Sequence, residues 1–196
     1  HLFILADPSM EGRETGTEGQ RKAAEYIKQQ FTKLGLTPGN NGSYEQIYQL
    51  YRDTLKDAKL TVNGKNYEFG KDFAASINNL TNSTMYVGEV TYLAKGDTTT
   101  DIKGKTIILA GKQPSQTEIF KLYQRQPAAV LFVQQGIDKQ AIQRSGRMYF
   151  SLYRSRQPVP SVRVSEEIGK VLLQEDFDKA KDQSLATKTY TTELIL

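Results

Sequence analysis

The chain of 196 residues has no cysteine and no tryptophan, and its single histidine, His1, is the first residue. Without cysteine there is no disulfide framework, no thiolate metal site and no cysteine nucleophile. With one histidine at the very terminus, a Ser–His–Asp triad and a His-based zinc site both lack their central group. Long apolar runs are missing too. The longest is Ala128–Val133, far short of the roughly 20 residues that cross a bilayer, so no transmembrane segment is expected. No charged segment followed by an apolar core opens the chain, so no signal peptide is expected within this numbering.

Acids are absent from one long stretch. Between Asp138 and Glu166 stand Lys139, Arg144, Arg147, Arg154, Arg156 and Arg163 with no Asp or Glu among them, whereas the whole chain has a net charge of only +4. The basic excess is therefore local, and a general nucleic-acid-binding surface is not expected. Arginines and aromatics alternate here, in Arg147, Tyr149, Tyr153, Arg154 and Arg156. As plain structure this is a solvated hairpin with its arginines turned outward. As a site it is a loop whose guanidinium groups read carboxylates on a substrate or a neighbouring domain.

What is present is a regular alternation of helix and strand signals. Thr17 with Gln20 forms a capping-box pattern, and Ala23, Ile27, Phe31 and Leu34 recur on one face before Gly35, which predicts a helix over 18–34. Asn63-Gly64 between Ala58–Val62 and Asn66–Phe69 predicts a hairpin with a primed turn. Strands are expected at Met85–Leu93, Thr106–Ala110, Ala128–Val133, Val159–Val164 and in the tail from Thr189. Between them, Ser115 with Glu118 opens a helix to about Arg125, and Ser165-Glu166-Glu167 opens one ending near Leu173. The fold class is therefore α/β, with mixed α+β as the alternative: an N-terminal helix, then a small α/β layer joined to antiparallel strands. Loop composition gives way to strands around Asn40–Asp53.

Ahead of the first helix stands Met-Glu-Gly-Arg-Glu-Thr-Gly-Thr-Glu-Gly, residues 10–19. Its glycines point to tight turns, and Arg13 is either a packing residue paired with a carboxylate or part of a cleft wall. Together with His1-Leu2, Leu5-Ala6-Asp7 and the helix ending Leu34-Gly35-Leu36, this loop resembles the N-terminal signature of di-zinc aminopeptidases related to glutamate carboxypeptidase. Asp7-Pro8-Ser9 departs from that pattern, which has Ser-Asp. Further on, Asp101–Leu109, Ala128–Val133 and Val159–Ser165 are similar, in the same order, to the protease-associated domain inserted in many of these peptidases.

The resemblance implies three parts: 1–52 as the front of a peptidase domain, 53–186 as an inserted protease-associated domain, and 187–196 as a strand returning to a catalytic domain. It also implies a secreted or periplasmic enzyme whose two zinc ions and general base belong to that further domain, in cis. Peptide is the implied substrate. No catalytic or metal-binding residue is then expected in this chain, and Arg13, Arg147, Tyr149, Tyr153, Arg154 and Arg156 are the candidate substrate or domain contacts. The helix stripe is expected to be partly exposed or covered by another surface. The alternative is a stand-alone module of the same fold that binds a peptide or protein.

Overall fold

The computed structural model describes residues 1–80, 83–137, 142–150 and 159–196, and of Arg147 the backbone alone. These residues form two compact units, His1–Tyr51 with 149–150, and Arg52–Met148 with 159–196.

The first unit begins with a helical turn, Leu2–Leu5 (α1), and a short 3-10 turn, Pro8–Met10, and continues into the helix Glu18–Lys33 (α2). Asp7 Oδ1 accepts the Ser9 amide at 2.9 Å, so the residues that depart from the family pattern make their own cap. At the start of α2, Thr17 Oγ1 accepts the Gln20 amide at 3.4 Å. The return half of the expected box is displaced by one residue. Gln20 Oε1 accepts from Gly16 at 2.6 Å, because the Thr17 amide already donates to the Glu14 carbonyl at 3.1 Å. At the other end Gly35 takes φ +68°. Leu36 N–H donates to Phe31 O at 3.1 Å and Gly35 N–H to Thr32 O at 3.0 Å, the paired bonds of a left-handed stop.

The glycine-rich loop closes onto the helix it precedes. Thr17 Oγ1 donates to the carbonyls of Glu14 and Gly12 at 2.6 and 3.1 Å. A Cβ at Gly19 would lie 2.5 Å from the Met10 carbonyl oxygen and 2.6 Å from that of Gly12. Only a residue without a side chain permits this approach. Along α2 burial fades: Ala23 is buried, Ile27 and Phe31 are each 38% exposed, and Leu34 is 71% exposed.

The second unit is built on a mixed sheet. Its strands, in chain order, are Leu60–Val62 (β2), Lys65–Tyr67 (β3), Phe73–Ala75 (β4), Tyr86–Tyr92 (β5), Thr106–Leu109 (β6), Ala129–Gln134 (β7), Ser161–Ser165 (β9) and Lys188–Ile195 (β10). A separate two-stranded sheet pairs Tyr51–Thr54 (β1) with Ser145–Tyr149 (β8). Three helices complete the set: Gln116–Gln124 (α3), Glu166–Leu173 (α4) and Phe177–Lys181 (α5). Across the large sheet the order is β3-β2-β10-β5-β6-β7-β9-β4. The four central strands β5, β6, β7 and β9 run parallel, and every other pairing is antiparallel. This is the α/β architecture with flanking antiparallel strands that the sequence pattern predicts. The tail expected to be extended is β10, and it lies inside this sheet, between β2 and β5.

Adjacent residues on each strand serve opposite faces. Ile107, Val130 and Phe132 pack with Leu122 of α3. Ile108, Leu131, Val133, Val162 and Val164 pack with Ile168, Leu172 and Leu173 of α4 and with Phe177 and Ala180 of α5. Both faces of β7 are thus covered, which is why its sequence is an unbroken apolar run. Asn63 and Gly64 take φ +48° and +77°, the conformation of a primed hairpin turn. Behind α5, the buried carboxylate of Asp176 takes Lys188 Nζ at 2.5 Å and the Tyr190 hydroxyl at 3.0 Å, tying the α4–α5 corner to β10.

Candidate functional site

Of the residues singled out from the sequence, Arg13 and Tyr149 have described side chains. Arg13 is exposed and donates to the Leu5 carbonyl, bracing the glycine-rich loop against α1. Its partner is a main-chain oxygen of the same unit. Tyr149 is half-buried at the end of β8 and stacks on Tyr51 with ring centroids 6.0 Å apart. Tyr153, Arg154, Arg156 and the Arg147 side chain lie outside the described residues. The first histidine is occupied locally, with Nδ1 2.8 Å from the Tyr26 hydroxyl.

A concavity lies elsewhere, in the second unit. It lies beyond the carboxyl ends of β5 and β6, where the chain leaves each strand through a loop, residues 93–98 and 110–115. In open α/β sheets this edge is the usual place for a ligand, because the loops there diverge. The cleft has a volume of about 390 Å³. Its walls are mostly apolar, from Leu93, Ala94, Leu109, Ala110 and Leu122, and its rim carries Lys95, Lys112, Lys121 and Arg125.

Each wall is held by chemistry local to it. The 93–98 loop turns around Asp97, whose Oδ1 accepts the amides of Thr99 and Thr100 at 2.9 and 3.0 Å. Its Oδ2 accepts the hydroxyls of Thr100 and Thr187. Hydrogen bonds from Thr100 and then Thr187 hold the Asp97 carboxyl well below the usual carboxylate range, so it stays charged and fully engaged. The 110–115 loop passes close to the end of α5. A Cβ at Gly111, where φ is +83°, would sit 2.4 Å from the Lys181 carbonyl oxygen. The loop then enters α3 through a complete capping box. Ser115 Oγ accepts the Glu118 amide at 3.3 Å, and Glu118 Oε2 accepts the Ser115 amide at 2.7 Å. Those contacts with Ser115 lower the Glu118 pKa, with smaller help from the nearby charges of Lys95 and Lys112.

The cations are held differently. Arg125 donates to the carbonyls of Asp97 and Thr100, which fix its plane without cancelling its charge. Lys95, Lys112 and Lys121 are exposed, and among the described residues none has an ion-pair partner. The cleft therefore presents four cations against two carboxylates over an apolar floor. That arrangement suits binding. The Ser115 hydroxyl and Glu118 Oε2 bond each other at the helix start, and among the described residues no three His, Asp or Glu side chains converge as metal ligands.

Sequence reasoning did not find this cleft. Its one legible signal was the Ser115–Glu118 box; Lys95, Lys112 and Arg125 stand too far apart in the chain for any spacing rule to join them.

The sequence matches no family model and no curated protein. Among solved structures, that of BSAP, a zinc aminopeptidase from Bacillus subtilis, aligns at 17% identity with a TM-score of 0.40, covering 99% of this chain and 42% of the other. The present chain thus spans less than half of that protein's length.

Proposed function

We propose that this chain is the non-catalytic front portion of a secreted or periplasmic zinc aminopeptidase, and that its second unit is a protease-associated module that helps to select substrate and packs with a catalytic domain in cis. The ordered run of motifs supports the family reading. The observation that carries the role is the cleft beside β5 and β6, a concavity with an apolar lining and a basic rim.

Zinc fits this reading only as a group held by other residues. His1 is hydrogen-bonded to Tyr26, and among the described residues no three His, Asp or Glu side chains stand together as metal ligands, so those residues do not fit a zinc site. When bound in the peptidase domain, the metal pair would polarise the scissile carbonyl and activate water. Arg13 ties the front loop to α1 and the Gly19 contact holds it on α2, and the cleft supplies the surface on which substrate is sorted.

The test compares the 196-residue chain with the complete encoded polypeptide. Zinc content and turnover of an aminoacyl p-nitroanilide are expected in the complete polypeptide and absent from residues 1–196 alone. Stoichiometric zinc with turnover by residues 1–196 overturns the assignment.

A second reading, a stand-alone peptide- or protein-binding module, is favoured by the same cleft, since all its walls come from the second unit. The two part at the gene. Further coding sequence rich in His, Asp and Glu supports the peptidase reading, and a stop codon after Leu196 supports the module.

A further inference from the structure

We propose that the cleft at the carboxyl ends of β5 and β6 is a peptide subsite that takes a carboxylate together with an adjoining apolar side chain. The inference deepens the binding role proposed above and rests on it for its biological setting, but the chemistry belongs to the cleft alone.

Three observations converge. The first is charge. Four cations stand on the rim, Lys95, Lys112, Lys121 and Arg125, against two carboxylates, Asp97 and Glu118. Asp97 is taken up by Thr99, Thr100 and Thr187, Glu118 bonds Ser115 through Oε2, and the rim cations outnumber the two acids. Among the described residues neither forms an ion pair with a rim lysine. An incoming anion therefore meets cations that have no carboxylate partner among the described residues, and such a contact is stronger than one that must displace an existing pair.

The second is preorganisation. Arg125 is half-buried, and two of its donors are fixed on the carbonyls of Asp97 and Thr100, so its remaining N–H groups keep a defined direction. Gly111 and the Ser115–Glu118 box hold the opposite wall. Little ordering is left to be done when a ligand arrives.

The third is the floor. Leu93, Leu109 and Leu122 with Ala94 and Ala110 form an apolar surface directly under the rim. A bare phosphate or sulfate would leave this floor wet, and an apolar peptide would leave the cations unpaired. A leucine-like side chain beside a carboxylate satisfies both, and 390 Å³ is room for one or two residues of peptide. That carboxylate can be a peptide's own C-terminus or the side chain of Asp or Glu, which offer the cleft the same chemistry.

Fluorescence anisotropy with three labelled hexapeptides on the 196-residue chain tests the assignment. One has an internal Leu-Glu pair and an amidated end, one has Leu-Gln in that place and ends in leucine with a free carboxylate, and one has Leu-Gln and an amidated end. At least one carboxylate peptide is expected to bind about tenfold or more tightly than the neutral peptide, as charge-assisted contacts require, and which one does so identifies the source. The double substitution Lys112→Ala and Lys121→Ala should erase that preference. Lys33→Ala with Lys59→Ala removes the same charge elsewhere and should leave it intact. Equal affinity for all three peptides overturns the proposal, as does an equal loss in the two double variants, which would mean a general charge effect. Affinities all weaker than about 1 mM overturn it as well. If the cleft behaves as expected but the complete polypeptide shows no zinc-dependent turnover, the peptidase reading falls and the subsite stands.

Discussion

The stripe of α2 and the run that forms β7 are equally plain in the sequence, yet they meet different ends. From Ala23 to Leu34, exposure climbs from nearly nothing to 71%, and within its own unit the Phe31 ring meets that of Tyr44 at 5.8 Å. From Ala129 to Val133 every residue is buried. The difference lies in what surrounds them. β7 is flanked by β6 and β9 in the sheet, with α3 on one face and α4 and α5 on the other. An apolar period states which side of an element seeks cover, and a second layer must supply it.

The largest test of this contrast is truncation on each side. Leu131→Ala removes a side chain with no solvent exposure from the middle of the sheet, and is expected to cost about 2–5 kcal/mol. Leu34→Ala, at the exposed end of the stripe, should stay within about 0.5 kcal/mol. Urea denaturation of the two variants decides it, and comparable losses would mean that the α2 stripe is covered in solution.

A smaller effect is expected at the front loop, which holds its place by backbone contact and not by a core. Gly19→Ala drives a methyl group against the Met10 and Gly12 carbonyl oxygens and should cost about 1–3 kcal/mol, partly offset by alanine's better helix propensity. Hydrogen exchange at the Gly16 amide, which donates to Gln20, reads the detachment directly. Unchanged protection there would show that the loop is held by something other than its fit to the helix.

The third test concerns charge inside the second unit and reads how stability changes in acid. Hydrogen bonds from Lys188 and then Tyr190 lower the Asp176 pKa. A carboxyl depressed in the folded state adds stability above its unfolded pKa, near 4, and loses that contribution as pH falls toward the folded value. Melting temperature should therefore drop below about pH 4, and Asp176→Asn should flatten that part of the profile. Identical profiles for the two proteins would assign the acid sensitivity to other carboxylates.

Caps and turns were the most legible features. The Thr17, Ser115 and Ser165 caps, the Asn63-Gly64 hairpin and the Gly35 stop depend on residues within a few positions of one another, and each stands in the structure where the local pattern places it. Shorter pieces escaped notice. β4 has three residues and α5 has five, too few to display a period. α5 is held by burial of Phe177 and Ala180, with Asp176 beside them.

Sequence alone determined the classes of chemistry this chain lacks, the order of its longer helices and strands, and the apolar strand that both layers would cover. All of these follow from residue type and short-range spacing, where a side chain's effect on its own backbone is decisive. Only the tertiary structure decided where β10 lies, between β2 and β5, and that Asp176 is clamped by Lys188 and Tyr190. It also decided that Lys95, Lys112 and Arg125 share one rim. Those outcomes depend on closing loops between distant residues, and that closure is driven by the burial of two sheet faces, to which no local pattern in the chain refers.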